Sequence, residues 1–194
     1  MTKIGILALQ GDFREHERAF GAVGVKSGYV RRPDELEEVD GLVIPGGEST
    51  AIAKLMKKWG LFTPLQRKAR EGFPVFGTCA GLILMAREVS DRVPTLGLMD
   101  ISVDRNAYGR QIESFEGELS ITGTNSLLTD EAVTGVFIRA PQVNEVRDGV
   151  EVLATHENLP VLLRQDNLLG ASFHPELTDN RRIHRYFVEQ LVDG

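Results

Sequence analysis

Short apolar runs alternate with helical patterns through the first half of the chain, and this rhythm narrows the fold more than any other feature. Ile4 to Leu9 reads as a strand and Arg14 to Val23 as a helix; Gly28 to Arg31, Leu36 to Val39 and Leu42 to Ile44 continue the series. Such β-α units build a parallel sheet, since parallel neighbours need a crossover connection. Ala51 to Trp59 sets Ile52, Leu55, Met56 and Trp59 at i, i+3, i+4 and i+7, which predicts a helix with one apolar face. Pro74-Val75-Phe76 is the next short strand. After about residue 96 the texture changes to strand-like runs separated by turn residues: Leu119 to Ile121, Val136 to Ala140, Val150 to Ala154, Val161 to Arg164 and Leu168 to Phe173. Arg181 to Leu191, with Ile183, Phe187 and Leu191 on one face, closes the chain as a helix. The expected fold is α/β: residues 1–194 as one domain, an open, mostly parallel central sheet with helices on both faces, and mixed or antiparallel strands in the C-terminal half.

Charge and composition remove several classes of function. The formal net charge is −6 and no long Lys/Arg block gathers a basic stripe, so nucleic acid is not an expected partner. No apolar run approaches the ~20 residues that span a bilayer. Met1 to Leu9 lacks a small-residue cleavage site and runs straight into a strand-turn pattern, so it reads as a first strand of a cytoplasmic protein rather than a signal peptide. The single cysteine, Cys79, can form no internal disulfide and no Cys-x-x-Cys zinc site; no metal is expected.

The sharpest local signal is Phe76-Gly77-Thr78-Cys79-Ala80-Gly81, where a strand ends and the helical run Leu82 to Arg87 follows at once. This is the pattern of a nucleophile elbow with Cys in place of Ser. A tight strand-to-helix turn holds its central residue in a strained conformation, and glycines two residues to either side leave room for neighbouring backbone. At a helix N-terminus the thiolate form of Cys79 is favoured. A lone cysteine packed as a small hydrophobe is the competing reading.

Phe173-His174-Pro175-Glu176 supplies a base at the end of a predicted strand. Pro175 disfavours a helical His174, and in continued extended backbone side chains two apart share a side, so Glu176 can accept a hydrogen bond from the imidazole. A histidine at a strand end beside a surface glutamate is the bland alternative. Both signals fall at strand C-termini, where open α/β sheets carry their sites, and together they favour a Cys-His-Glu triad.

Ile44-Pro45-Gly46-Gly47-Glu48-Ser49-Thr50 is a second strand-glycine turn-helix passage. A tetrahedral oxyanion needs two donors; the candidates are the N–H groups of Ala80 and Gly47. A phosphate cradle is the other use of such a turn, but no Gly-Lys-Ser/Thr follows. Leu9-Gln10-Gly11-Asp12 ends the first strand in the same manner and brings the Gln10 amide to the same sheet edge.

With these residues in hand the chain resembles the triad-type (class I) glutamine amidotransferases over its full length. It is similar to one family among them, the glutaminase subunits of pyridoxal 5'-phosphate synthase. The resemblance lies in Leu9 to Asp12, Gly46 to Thr50, Arg105-Asn106-Ala107-Tyr108-Gly109-Arg110-Gln111, Phe137 to Pro141 and His174 to Glu176. It implies that Cys79 attacks the glutamine side-chain amide, that His174 protonates departing ammonia and then activates water, and that Glu176 orients His174. It implies further that Gly47, Glu48, Ser49, Arg105, Ile138 and Arg139 surround the glutamine, and that Gln10 joins the oxyanion hole when a partner docks. That partner would be a synthase subunit that receives the ammonia; the glutaminase itself would carry no cofactor. A zwitterionic substrate needs both charges met, and Glu48, Arg105 and Arg139 have the required signs. Three alternatives stay open: a cysteine hydrolase of the doubly wound class, the glutaminase of another biosynthesis, and a non-catalytic scaffold subunit of the same fold.

Overall fold

The computed structural model describes residues 1–105, 114–122, 124–129 and 132–194. The β-α rhythm of the first half becomes β1 (Lys3–Leu7), α1 (Phe13–Ala22), β2 (Lys26–Val30), α2 (Pro33–Leu36), β3 (Gly41–Ile44), α3 (Ser49–Lys58), α4 (Phe62–Arg70), β4 (Val75–Thr78) and α5 (Ala80–Met85). Strands then dominate: β5 (Ala86–Val89), β6 (Met99–Asp104), β7 (Ser114–Ile121), a short α6 (Ser126–Thr129), β8 (Val133–Ile138), β9 (Gln142–Val146), β10 (Glu151–His156), β11 (Leu159–Gln165) and β12 (Leu168–Ala171). A 3₁₀ turn (Pro175–Leu177), α7 (Arg182–Phe187) and a π-helical turn (Val188–Val192) complete the chain. No helix among the described residues is long and apolar enough to cross a membrane.

Among the described residues, nine strands form the main sheet in the order β2-β1-β3-β4-β12-β11-β10-β7-β8, and β5-β6-β9 form a smaller one. The pairs from β2 to β12 are parallel. From β12 to β8 they are antiparallel. Half of the sheet is thus of each kind. Alternation along the parallel strands divides the core into two layers. Ile4, Ile6, Val43, Phe76, Leu169 and Ala171 meet Phe20 of α1 and Ile183 and Phe187 of α7 on one face. Leu7, Leu42, Ile44, Val75 and Leu168 meet Ile52 and Met56 of α3, Leu65 of α4 and Leu82 of α5 on the other.

Several elements depart from the sequence expectations. The stretch between Trp59 and Pro74 holds α4, in which Pro64 falls in the first turn, where its missing N–H has no intrahelical partner to lose. The predicted helical run to Arg87 stops at Met85: Ala86 is extended (φ −60°, ψ 146°) and pairs with Met99, so sheet pairing wins over helix propagation. Trp59, expected on the buried face of α3, follows the last helical residue and is 49% exposed. The final helix keeps Ile183 and Phe187 buried but widens into a π turn after Phe187.

Because β1, β3, β4 and β12 are adjacent and parallel, the loops that follow them leave the sheet at one edge. Their spacing is closed by glycine. A Cβ on Gly81 would lie 2.1 Å from the carbonyl oxygen of Ile44, so α5 rests on β3 backbone-to-backbone there. Gly21, in α1, has no atom within 4 Å of such a Cβ. We predict that Gly81→Ala lowers unfolding stability by about 1–3 kcal/mol through overpacking. Gly21→Ala should raise it by about 0.5 kcal/mol through helix propensity. Urea denaturation of the two variants measures the opposite signs; equal effects would remove the close approach as the cause.

Candidate active site

Cys79 stands between β4 and α5 with φ 48° and ψ −102°, a region L-residues seldom occupy. Such strain costs about 1–3 kcal/mol and persists only where the surroundings impose it. Here the Cys79 N–H donates to the Ala171 carbonyl of β12 (2.8 Å), while the Cys79 carbonyl accepts from Ile83 N–H of α5 (3.2 Å). Gly77 and Gly81 face each other beneath the turn; a Cβ on Gly77 would come within 2.6 Å of the Gly81 backbone. Cys79 is 7% exposed, and its Sγ lies 3.9 Å from the Ile138 carbonyl oxygen at the end of β8. Arg139, next along, also has positive φ (42°).

His174 follows β12, and its N–H donates to Val136 of β8 at 2.8 Å. Its Nδ1 lies 2.7 Å from Oε1 of Glu176, the contact the His-x-Glu spacing predicts. The route to it differs from that expectation. His174 itself is non-helical (φ −108°, ψ 86°), but Pro175–Leu177 is a 3₁₀ turn, and this fold-back rather than extended alternation brings the carboxylate under the ring. Gly46 makes room: a Cβ there would lie 2.3 Å from His174 Cε1.

Both members of the pair are buried, and their electrostatics are opposed by burial first. Burial works against an imidazolium at His174, but hydrogen bonds and negative charge from Cys79 and Glu176 outweigh it and raise its pKa to about 10. Burial pushes the Glu176 carboxyl above its ordinary value, and His174 pulls it back down. Asp12 Oδ2 is 3.5 Å from the same Nδ1. Asp12, His174 and Glu176 each place a ligand-type atom within 4.8 Å of the others. Nδ1, as donor to Glu176, has no lone pair left for a metal there.

Two loops frame the cleft above Cys79. The Asp12 N–H donates to the Gly46 carbonyl (3.1 Å), and the Glu48 N–H donates to Gln10 Oε1 (2.8 Å). That second bond requires the amide oxygen, so the Gln10 NH₂ is left as a donor away from Glu48. Gly47 has φ 152°, open essentially to glycine, and a Cβ on it would strike Gln10 Oε1 at 2.6 Å. Glu48 caps α3 with both oxygens, accepting from Thr50 N–H (2.9 Å) and Ala51 N–H (2.7 Å), and meets Arg105 Nη2 at 3.2 Å. Burial raises its carboxyl, but those donors and Arg105 hold it below the ordinary range. Ser49 Oγ is buried with no hydrogen-bond partner among the described residues.

The cleft has a volume of about 440 Å³ and is lined by Gln10, Asp12, Gly47, Glu48, Ser49, Cys79, Ile83, Arg105, Ile138, Arg139 and His174. Every residue singled out in the sequence reaches it except Ala80 and Glu176, which lie beneath its wall. Asn106 to Gln111 of the Arg105 segment lie outside the described residues. Sequence reasoning assigned nothing to Asp12 or Ile83. It also missed a buried polar layer under Glu176, formed by His16 of α1, Thr78 of β4 and His184 of α7. The available signal was a histidine on the core-facing stripe of α1 with Ala19 and Phe20.

Residues 6–193 match the SNO glutamine amidotransferase family. The chain is 54% identical over 191 residues to the pyridoxal 5'-phosphate synthase subunit PdxT of Pelotomaculum thermopropionicum, covering 98% of this chain and 95% of that one. It is 52% identical over 190 residues to the subunit of the same name from Thermosipho africanus, covering 97% and 98%. A crystal structure described as a glutamine amidotransferase superposes with a TM-score of 0.90 at 46% identity, over 98% of this chain and 99% of that chain. With the match running from β1 through the C-terminal helix and taking in every loop that frames the cleft, this chain belongs to the SNO glutamine amidotransferase family.

Proposed function

We propose that this chain is the glutaminase subunit of a pyridoxal 5'-phosphate synthase, hydrolysing L-glutamine to L-glutamate and passing ammonia to a synthase subunit. The observation that carries the reading is the strained Cys79 in a cleft shared with His174, whose Nδ1 is 2.7 Å from Glu176. Kinship over nearly the whole chain with synthase subunits supports the partner and the substrate. Residues 1–194 act as one amidotransferase domain, a reading supported by the family match from 6 to 193. A free thiol as the only cysteine suits a reducing, cytoplasmic compartment.

In this mechanism Cys79 reacts as the thiolate, beside His174 as the imidazolium. The thiolate attacks the side-chain amide carbon, and the C=O electrons move onto oxygen. The Ala80 and Gly47 N–H groups receive that oxyanion, each donor contributing about 2.7–4 kcal/mol to barrier lowering. The Gln10 NH₂ completes the set when the synthase docks. As the tetrahedral species collapses, the C–N bond breaks, His174 gives its proton to the leaving nitrogen, and ammonia departs from a glutamyl thioester. The now neutral His174 takes a proton from water, hydroxide adds to the thioester, and glutamate leaves as the thiolate and imidazolium re-form. Ser49 Oγ, Glu48, Arg105, Arg139 and the Ile138 carbonyl hold the amino-acid end of the glutamine.

Three outcomes are expected. Cys79→Ala abolishes glutamate release, measured by a glutamate dehydrogenase-coupled assay, yet still co-sediments with the synthase subunit; wild type is strongly stimulated by that subunit. Retained hydrolysis in the variant would overturn the nucleophile. His174 is raised to about 10 in the folded state, so its imidazolium persists through neutral pH and is lost above that value. The alkaline limb of kcat/KM should therefore fall only near pH 10; a limb near 6.5 would contradict the raised His174. Gly46→Ala, by pushing the imidazole aside, should cut kcat/KM about 100-fold with a cooperative unfolding transition intact.

A further inference from the structure

The mechanism uses one oxygen of Glu176, and the structure leaves the other unexplained. Oε2 is fully buried and has no hydrogen-bond partner among the described residues, although His16 Nε2 lies 3.5 Å away. The same Nε2 is 3.1 Å from Thr78 Oγ1, and His16 Nδ1 is 3.0 Å from His184 Nε2. Both histidines are completely buried, and burial holds both rings neutral: His16 falls well below 6.5, and His184 to about 3 with Arg181 adding to the effect. Each ring therefore carries one N–H, and its position can be deduced. His184 Nδ1 is buried without a partner among the described residues. A bare lone pair there costs less than a stranded N–H, so the proton of His184 sits on Nε2 and donates to His16 Nδ1. His16 must then carry its own proton on Nε2, pointing at Thr78 Oγ1 and Glu176 Oε2.

The N–H groups in this layer consequently point toward one carboxylate: His184 donates to His16, His16 Nε2 is directed at Thr78 Oγ1 (3.1 Å) with Glu176 Oε2 just beyond at 3.5 Å, and His174 donates to Oε1. We propose that His16, backed by His184, is a positioning residue for glutamine hydrolysis, holding the second oxygen of Glu176 so that the first stays aligned on His174. This inference rests on the glutaminase reading of the cleft. His16 does not line the cleft, so it touches no substrate. Neutral rings suit the task, because a cation at His16 would compete with His174 for the carboxylate. The charged or titratable groups facing Glu176 are His174 and Asp12 from the cleft side and His16 from α1, with His184 and Arg181 behind it. Thr78 ties the layer to the residue before Cys79, so the orienting carboxylate and the elbow share one anchor.

The test uses the full chain with its synthase subunit and follows glutamate release. His16→Leu should lower kcat about 10- to 100-fold, the effect of losing one hydrogen bond to a buried charge, with KM within about twofold. Its acid limb should move to higher pH, since an N–H donor favours the ionised carboxylate. His16→Gln, which can place an N–H near the same point, should recover a large part of the loss. In a Glu176→Ala background, His16→Leu should add less than about twofold, because the two residues act as one unit. Wild-type kcat and pH profile in His16→Leu, or full additivity in the double variant, would overturn the proposal. If His16→Leu does not fold, His184→Leu carries the test: it frees the His16 tautomer and should also lower kcat without raising KM, and unchanged kcat would count against the relay. Nitrogen-15 NMR of the imidazoles gives an answer independent of turnover. A neutral His16 protonated on Nε2 is expected, and a neutral Nδ1-protonated ring or an imidazolium would sink the idea even if hydrolysis itself failed to appear.

Discussion

Where α5 leaves β4, the Gly81 backbone lies against the Ile44 carbonyl so closely that no side chain fits between them. The rest of the site depends on that contact. It sets the depth at which α5 sits on the sheet, and so the sharpness of the turn that puts Cys79 at φ 48°. The Cys79 N–H is held by β12, whose own end delivers His174, so Cys79 and His174 are fixed by the same three-strand parallel ladder of β3, β4 and β12. Strain at one residue is tolerable because it is spread over hydrogen bonds that cannot be made any other way.

Charge is the second constraint. A fully buried carboxylate costs several kcal/mol in desolvation and is retained only when its oxygens are met. Glu176 meets this at Oε1 through His174 at 2.7 Å, while Oε2 has only His16, 3.5 Å away, near it among the described residues. Glu48 works differently. Half exposed, it caps α3 and pairs with Arg105, so the loop that carries Gly47 is stiffened by the residue beside it.

Much of this was legible in the amino-acid order, for identifiable reasons. Strand-glycine-helix passages at Gln10, Gly46 and Cys79 announce loops at strand ends, and the parallel rhythm gathers such loops at one edge. The His174–Glu176 pair was anticipated from spacing alone, although a 3₁₀ turn makes the contact that extended backbone was expected to make. Less legible were α4, whose Pro64 sits where helices tolerate it, and β5, where pairing with β6 ends α5 at Met85 against its helical pattern. Those outcomes depend on partners distant in the chain, which local patterns do not contain.

By itself, then, the sequence determined the α/β class, the tight strand-to-helix turn at Cys79, the closeness of His174 and Glu176 and the family kinship, because each rests on rules that act within a few residues or on residue order itself. Only the tertiary structure decided the strand order, with β12 inserted beside β4, and with it the meeting of Cys79 and His174. It alone brought His16, Thr78 and His184, from the beginning, middle and end of the chain, under one buried carboxylate. Contacts across such distances follow from how sheets and helices pack, and a hydrogen-bond direction set by burial has no signature in the local order of residues.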